Sequence, residues 1–173
     1  MYVPTPNSYR IFATDKLVKE LLKWPLIIAA VVVVLRVVTE QAGAPDSINN
    51  LISVVALHLL IGPLYFAIQV ARSREPRPYV TLFKLVLSYV VLTRVMVLPT
   101  YWLARIYEWP QPRFAGLSGP DVTPFTGYIA IPFMTGAIWV VMSVIFGGLA
   151  GSVVVAILRR AKKPGAAGLS SAP

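Results

Sequence analysis

Apolar residues run along this chain in four long stretches, parted from one another by more polar segments. In the first, Leu17, Val18, Leu21 and Leu22 recur at helical spacing among Asp15, Lys16, Lys19, Glu20 and Lys23. An apolar run from Trp24 to about Val38, broken only by Arg36, follows. The pattern predicts a helix over about 17–40 whose start is an interfacial lead-in capped by Asp15. The second stretch, Ser47 to Ala71, has no charged residue, follows Pro45, and predicts a helix over 47–71 capped by Asp46 or Ser47. A kink is expected at Gly62-Pro63, because proline removes a backbone donor and crowds the preceding turn.

The third stretch, Tyr79 to Trp102, is apolar apart from Lys84 and Arg94, and Pro76, Pro78 and Pro99 punctuate its ends, predicting a helix over 79–102. The fourth is uncharged from Val122 to Leu158, longer than a bilayer requires. Pro124, Gly127 and Pro132 mark its beginning as loop or re-entrant chain, with helix over about 129–158 that is continuous from Pro132. Between the last two helices lies a long connection, 103–127, and the chain closes on an Ala/Gly/Ser-rich stretch, 164–173, expected as a flexible tail.

Runs of this length fit transmembrane helices of about 20 residues, and their failure to alternate argues against a β-barrel. No internal repeat supports an inverted-repeat transporter. The expectation is an all-α integral membrane protein: a four-transmembrane-helix bundle forming one membrane domain over 1–163. The lysine-rich start and the Ala42-Gly43-Ala44 triplet imitate a secretory signal. Arg36 interrupts the region before that triplet, so an uncleaved helix is the expected form.

Composition agrees. Of 173 residues, 57% are hydrophobic and 13% charged, and the mean hydropathy is +0.70, where soluble domains carry about 25% charged residues. With no cysteine and one histidine, the chain lacks disulfides, thiolate chemistry, cysteine-ligated metals and a bis-histidine haem site of its own. Those absences exclude cysteine-dependent quinone oxidoreductases and four-helix di-haem cytochromes, and the first helix lacks the deep acid of small multidrug exporters. No carboxylate pair lies deep in an apolar stretch for proton relay or magnesium binding, and no serine has a recognisable triad.

Charge gives the orientation. Twelve of the sixteen Lys and Arg flank one side of the predicted membrane: Arg10, Lys16, Lys19, Lys23, Arg72, Arg74, Arg77, Lys84, Arg159, Arg160, Lys162 and Lys163. The other side carries Arg36, Arg94, Arg105 and Arg113, balanced by Glu40, Asp46, Glu108 and Asp121. By the positive-inside rule both termini are cytoplasmic, in the inner membrane if the source is bacterial, with anionic lipids on the basic face. Basic charge split over three short flanks without a binding fold argues against nucleic acid.

The polar groups at membrane depth are the candidate site residues. Arg94 lies about 12 Å of helix from Trp102, inside the hydrocarbon, where an arginine costs about 2.5–3.5 kcal/mol on insertion scales. It either snorkels or pairs for structure, or else it meets a ligand. Arg36 and Glu40 can pair at i,i+4, although arginine before glutamate is the weaker order and leaves Glu40 open to Arg94. His58, Gly62, Tyr65 and Gln69 form one face of the second helix, expected to point inward. His58 reads as a packed interhelical histidine, or alternatively as a weak axial-ligand candidate or a quinone contact. Arg36, Glu40, His58, Arg94 and Tyr101 are expected to converge in the outer third of the bundle.

On the fourth helix Ser143, Gly147 and Gly151 make a small-residue ridge for close helix contact, within the bundle or with another copy or subunit. The long outer connection, with Tyr107, Trp109, Phe114 and Phe125, suits either interfacial anchoring or docking of a partner. The functional expectation is an accessory or structural subunit of a larger membrane assembly, contributing a lipid, quinone or pigment contact. The alternative is a small channel or carrier for an anionic or amphipathic solute, using Arg94, Arg36 and His58.

Overall fold

The computed structural model describes residues 6–73 and 75–161, with side chains from Val18 onward. Among these residues the structure is helical, without strands. Four helical segments are long and apolar enough to cross a membrane: Val18–Gln41, Asp46–Arg72, Pro78–Ile106 and Thr126–Ala161. The tail over 164–173, together with Arg74, Lys162 and Lys163, lies outside the described residues.

The elements depart from the sequence expectations where local chemistry intervenes. Helix α1 (Pro6–Gln41) already runs through Asp15, so that residue does not begin it, and the helix continues through Pro25. The second span is not one helix. Helix α2 (Asp46–Leu51) begins after Pro45 without a side-chain cap, so neither Asp46 nor Ser47 has the expected role. The chain then breaks at Ile52-Ser53, and Ser53 caps the short helix α3 (Val54–Ala56) by accepting from the Val55 amide at 3.2 Å. A π-helical turn, Leu57–Ile61, joins α3 to helix α4 (Gly62–Arg72).

The π-turn explains how Pro63 is accommodated. Proline lacks the amide that would close an α-turn, and its ring presses on the carbonyl four residues back; a wider turn relieves both. The same device recurs in the fourth span, where the π-turn Thr126–Ala130 immediately precedes helix α6 (Ile131–Ala161) with Pro132 in its first turn. The residues from Pro124 onward are therefore helical, not the expected loop or re-entrant chain. Helix α5 (Pro78–Ile106) passes through Pro99 and continues a turn beyond Trp102. The connection between the last two spans is correspondingly shorter than 103–127.

The second, third and fourth spans pack against one another, whereas α1 lies chiefly along α5 and meets the second span most at the latter's first two short helices. One buried cluster gathers Leu57, Phe66, Val70, Leu82, Leu85, Val86, Tyr89, Val90 and Val155 towards the end where α4 gives way to α5. A second, at the opposite end, joins Val33, Val54, Val97, Tyr101 and Ala104 to Phe114 and Leu117 of the 107–123 connection. That connection is folded into the core: Phe114 packs edge-on against Tyr101 with ring centres 5.3 Å apart. Arg105 donates to the carbonyls of Leu117 and Val122 and stacks on Tyr128 at 4.8 Å.

The ridge on α6 lies inside the chain. Ser143, Gly147 and Gly151 are all buried, and a Cβ on Gly147 would come within 2.6 Å of the Pro63 ring and 3.0 Å of the His58 carbonyl. Glycine is what permits this approach. Gly148, one residue along, faces open space.

Candidate functional site

Of the residues expected to converge, Arg36 pairs with Glu40 and Arg94 neighbours His58, two polar groups at different heights along the bundle with Tyr101 beside both. The shallower is built on Glu40, near the end of α1. Its carboxylate, 4% exposed, takes the Nε of Arg36 at 2.9 Å and lies 2.6 Å from the Nη2 of Arg113. Arg36 also donates to the Ser53 hydroxyl at 3.3 Å, and the Gln111 side chain donates to the Glu40 carbonyl at 3.4 Å. Glu40 thus joins the first span, the break in the second and the 107–123 connection. The expectation that it is open to Arg94 fails, because Arg113 occupies its second oxygen. Burial holds the Arg113 guanidinium below its ordinary pKa, and Glu40 pulls it back up. Ring contact with Phe114, 4.2 Å from the guanidinium carbon, completes its surroundings.

The deeper group contains Arg94 and His58. Arg94 stands about 18 Å of helix from Ile106, deeper than the predicted boundary at Trp102 implied, because α5 continues past that residue. Its guanidinium lies over the indole of Trp139 at 5.4 Å, and it has no ion pair among the described residues. Its Nε and Nη2 are buried without an acceptor. Tyr101 and His58 are its electrostatic neighbours, so Tyr101, packed on Phe114, stands between the two groups.

His58 sits in the π-turn, fully buried, with Tyr89 edge-on at 5.5 Å. Neither ring nitrogen has a partner, and the hydroxyl of fully buried Ser143 is likewise unpaired. An imidazole enclosed on every side presents no open face to a macrocycle. No group of three or more metal-ligating side chains occurs among the described residues.

The polar face drawn from His58 through Gln69 also needs correction. On α4 the buried positions are Gly62, Pro63, Phe66, Ala67, Val70 and Ala71, while Tyr65 and Gln69 lie half-buried at the flank. The wider π-turn rotates less per residue than an α-helix, so the regular helical spacing does not carry across from His58 to α4.

Sequence reasoning missed Arg113 as the second partner of Glu40. It also missed Arg159, whose Nη2 donates to the carbonyls of Glu75 at 2.8 Å and Val70 at 3.4 Å, closing the end of α4. A shallow notch of about 330 Å³ opens beside the 107–123 connection, lined by Arg105, Ile106, Glu108, Ser118, Gly119 and Tyr128. Glu108 adopts a left-handed backbone there, with φ of 50°. Compared with known proteins, the chain matches no family model, no curated protein and no solved structure.

Proposed function

We propose that this chain is an integral membrane protein with both termini on the cytoplasmic side, and that it serves as an accessory or structural subunit of a larger membrane assembly. The observation that carries the reading is Arg94, at mid-span with no ion pair among the described residues, in a chain whose spans are unevenly covered. Only 17% of the most apolar stretch of the first span is buried, and 22% of the fourth, against 39% and 44% for the second and third. The first span rests chiefly on one neighbour and leaves Trp24, Ile27, Ile28, Val31, Val34 and Val38 bare. Lipid and neighbouring helices are equally apolar, so such a face serves in either setting. Mid-depth Arg94, with no ion pair of its own, favours neighbouring helices, since charges at membrane depth are ordinarily paired.

Native mass spectrometry of the chain, extracted into lipid nanodiscs without a detergent step, tests the reading. A stoichiometric complex with other membrane chains is expected; a stable, stand-alone monomer contradicts it. For sidedness, green fluorescent protein fused to the C-terminus should fluoresce while an alkaline phosphatase fusion stays inactive. The opposite pair of results reverses the orientation.

A further inference from the structure

The isolated bundle leaves one deep charge unmatched. Arg94 is held at mid-span, and its Nε and Nη2, the two donors that form one edge of the guanidinium, have no acceptor among the described residues. That edge is the one that binds a carboxylate through two parallel hydrogen bonds. The Trp139 ring lies against the guanidinium face, 5.4 Å away. The residue is half-buried, at the margin of the buried face of α5; Val91 and Val95 are exposed beside it, as are Ile138 and Met142 on either side of Trp139. Those two atoms are themselves buried, so pairing with a partner at that margin requires the side chain to turn toward it.

The chain cannot supply the missing anion. All seven of its acidic residues lie in connections, in the lead-in to the first span, or within a few residues of a span end. Glu40 is held by Arg36 and Arg113. A second copy in the same orientation would bring another Arg94 to this depth and no carboxylate. A lipid phosphate sits at the bilayer surface, not about 18 Å of helix inward. We propose that the margin between α5 and α6 receives a transmembrane helix of a different subunit, carrying an Asp or Glu at mid-depth that pairs with the Nε–Nη2 edge of Arg94. The inference rests on the reading of the chain as a subunit and specifies the chemistry of its partner.

A synthetic single-span leucine-rich peptide with one Asp at its centre, and its counterpart with Leu there, are the probes. Binding to the full-length protein in phosphatidylcholine nanodiscs is read by energy transfer. The Asp peptide is expected to bind about tenfold tighter or more than the Leu peptide, the scale of a charge-assisted pair. Arg94→Gln should erase that preference, and Arg94→Lys, which keeps the charge without the two-pronged edge, should retain part of it. Helicity and melting temperature of each variant are measured in parallel, and the Lys variant keeps the comparison interpretable if the Gln variant misfolds. An Asp peptide that binds wild type no better than the Leu peptide, or a preference unchanged in Arg94→Gln, overturns the pairing. If wild type still forms a complex in native mass spectrometry while its Asp preference is absent, the pairing falls and the subunit reading stands. Asp preference in a chain that is monomeric in native membranes sinks the subunit reading instead.

Discussion

Arg36 and Arg94 are both arginines in long apolar helices, and the fold treats them differently. Arg36 reaches a buried carboxylate at 2.9 Å and a serine hydroxyl at the break in the second span. Arg94 reaches the face of an indole. The first arrangement is complete within the chain, since Glu40 faces two guanidiniums and ties three segments together. The second satisfies the shape of the arginine but not its charge. A cation over an aromatic ring is worth about 0.5–1 kcal/mol at exposed sites and about 2 or more when desolvated, less than a buried ion pair costs when one partner is removed. The fold therefore uses its buried carboxylate, Glu40, to hold itself together at the end where the connection folds in, and leaves mid-span Arg94 without an anion among the described residues.

The sharpest way to break this contrast is Glu40→Gln. It strands Arg36 and Arg113 together in a buried site and should destabilise the protein by about 3–5 kcal/mol, read as a fall in the thermal unfolding midpoint in nanodiscs. A loss below about 1 kcal/mol would mean that the cluster is hydrated and the contrast is false. Next in size is Gly147→Ala. Its methyl would meet the Pro63 ring and the His58 carbonyl, one of them backbone and neither easily moved, so a loss of about 1–3 kcal/mol is expected. Gly148→Ala, facing open space, should be neutral or slightly stabilising by helix propensity. Equal effects at both positions would show that the fourth span does not pack closely against the π-turn.

Arg159 supplies an intermediate case, matched to neutral carbonyls instead of a carboxylate. Arg159→Ala should cost about 1 kcal/mol and increase hydrogen exchange at the end of α4, because the donor is half-exposed. The smallest effect is expected at His58. Both ring nitrogens are buried without partners, and exchanging such a group for an apolar one of similar size is close to neutral. His58→Leu should leave the melting midpoint within about 1 kcal/mol of wild type. A larger loss would show that the imidazole has a partner which the isolated chain does not contain.

Several of these features were legible in the sequence. Four helices follow from four apolar runs, and the Arg36–Glu40 pair follows from a spacing of four on a helix. The Ser143-Gly147-Gly151 ridge follows from the same periodicity, which puts small residues on one face. Other features depend on contacts that periodicity cannot encode. Arg113 lies in an irregular connection, and nothing local marks it as a partner for a residue at the end of the first span. The break at Ile52-Ser53 falls inside an uncharged run, where only the capping hydroxyl of Ser53 hints at it. The prolines carried an ambiguous signal. Pro63 and Pro132 each follow a π-turn that lets the helix proceed, whereas Pro25 and Pro99 sit within helices that continue through them. Their effect depends on the turn before them and on the neighbours that fill it. The π-turn also rotated His58 out of register with Tyr65 and Gln69, so a face read at constant spacing crossed a point where the spacing changes.

The central claim, that the chain neutralises buried Arg36 internally and leaves mid-span Arg94 for the proposed partner, is tested most directly by melting Glu40→Gln and Arg94→Leu side by side as isolated chains in the same nanodiscs. The account predicts a large fall for Glu40→Gln, and for Arg94→Leu a change no greater than the about 0.5–2 kcal/mol of the lost indole contact. A fall for Arg94→Leu as large as that for Glu40→Gln would contradict it, because Arg94 would then be paired within the chain.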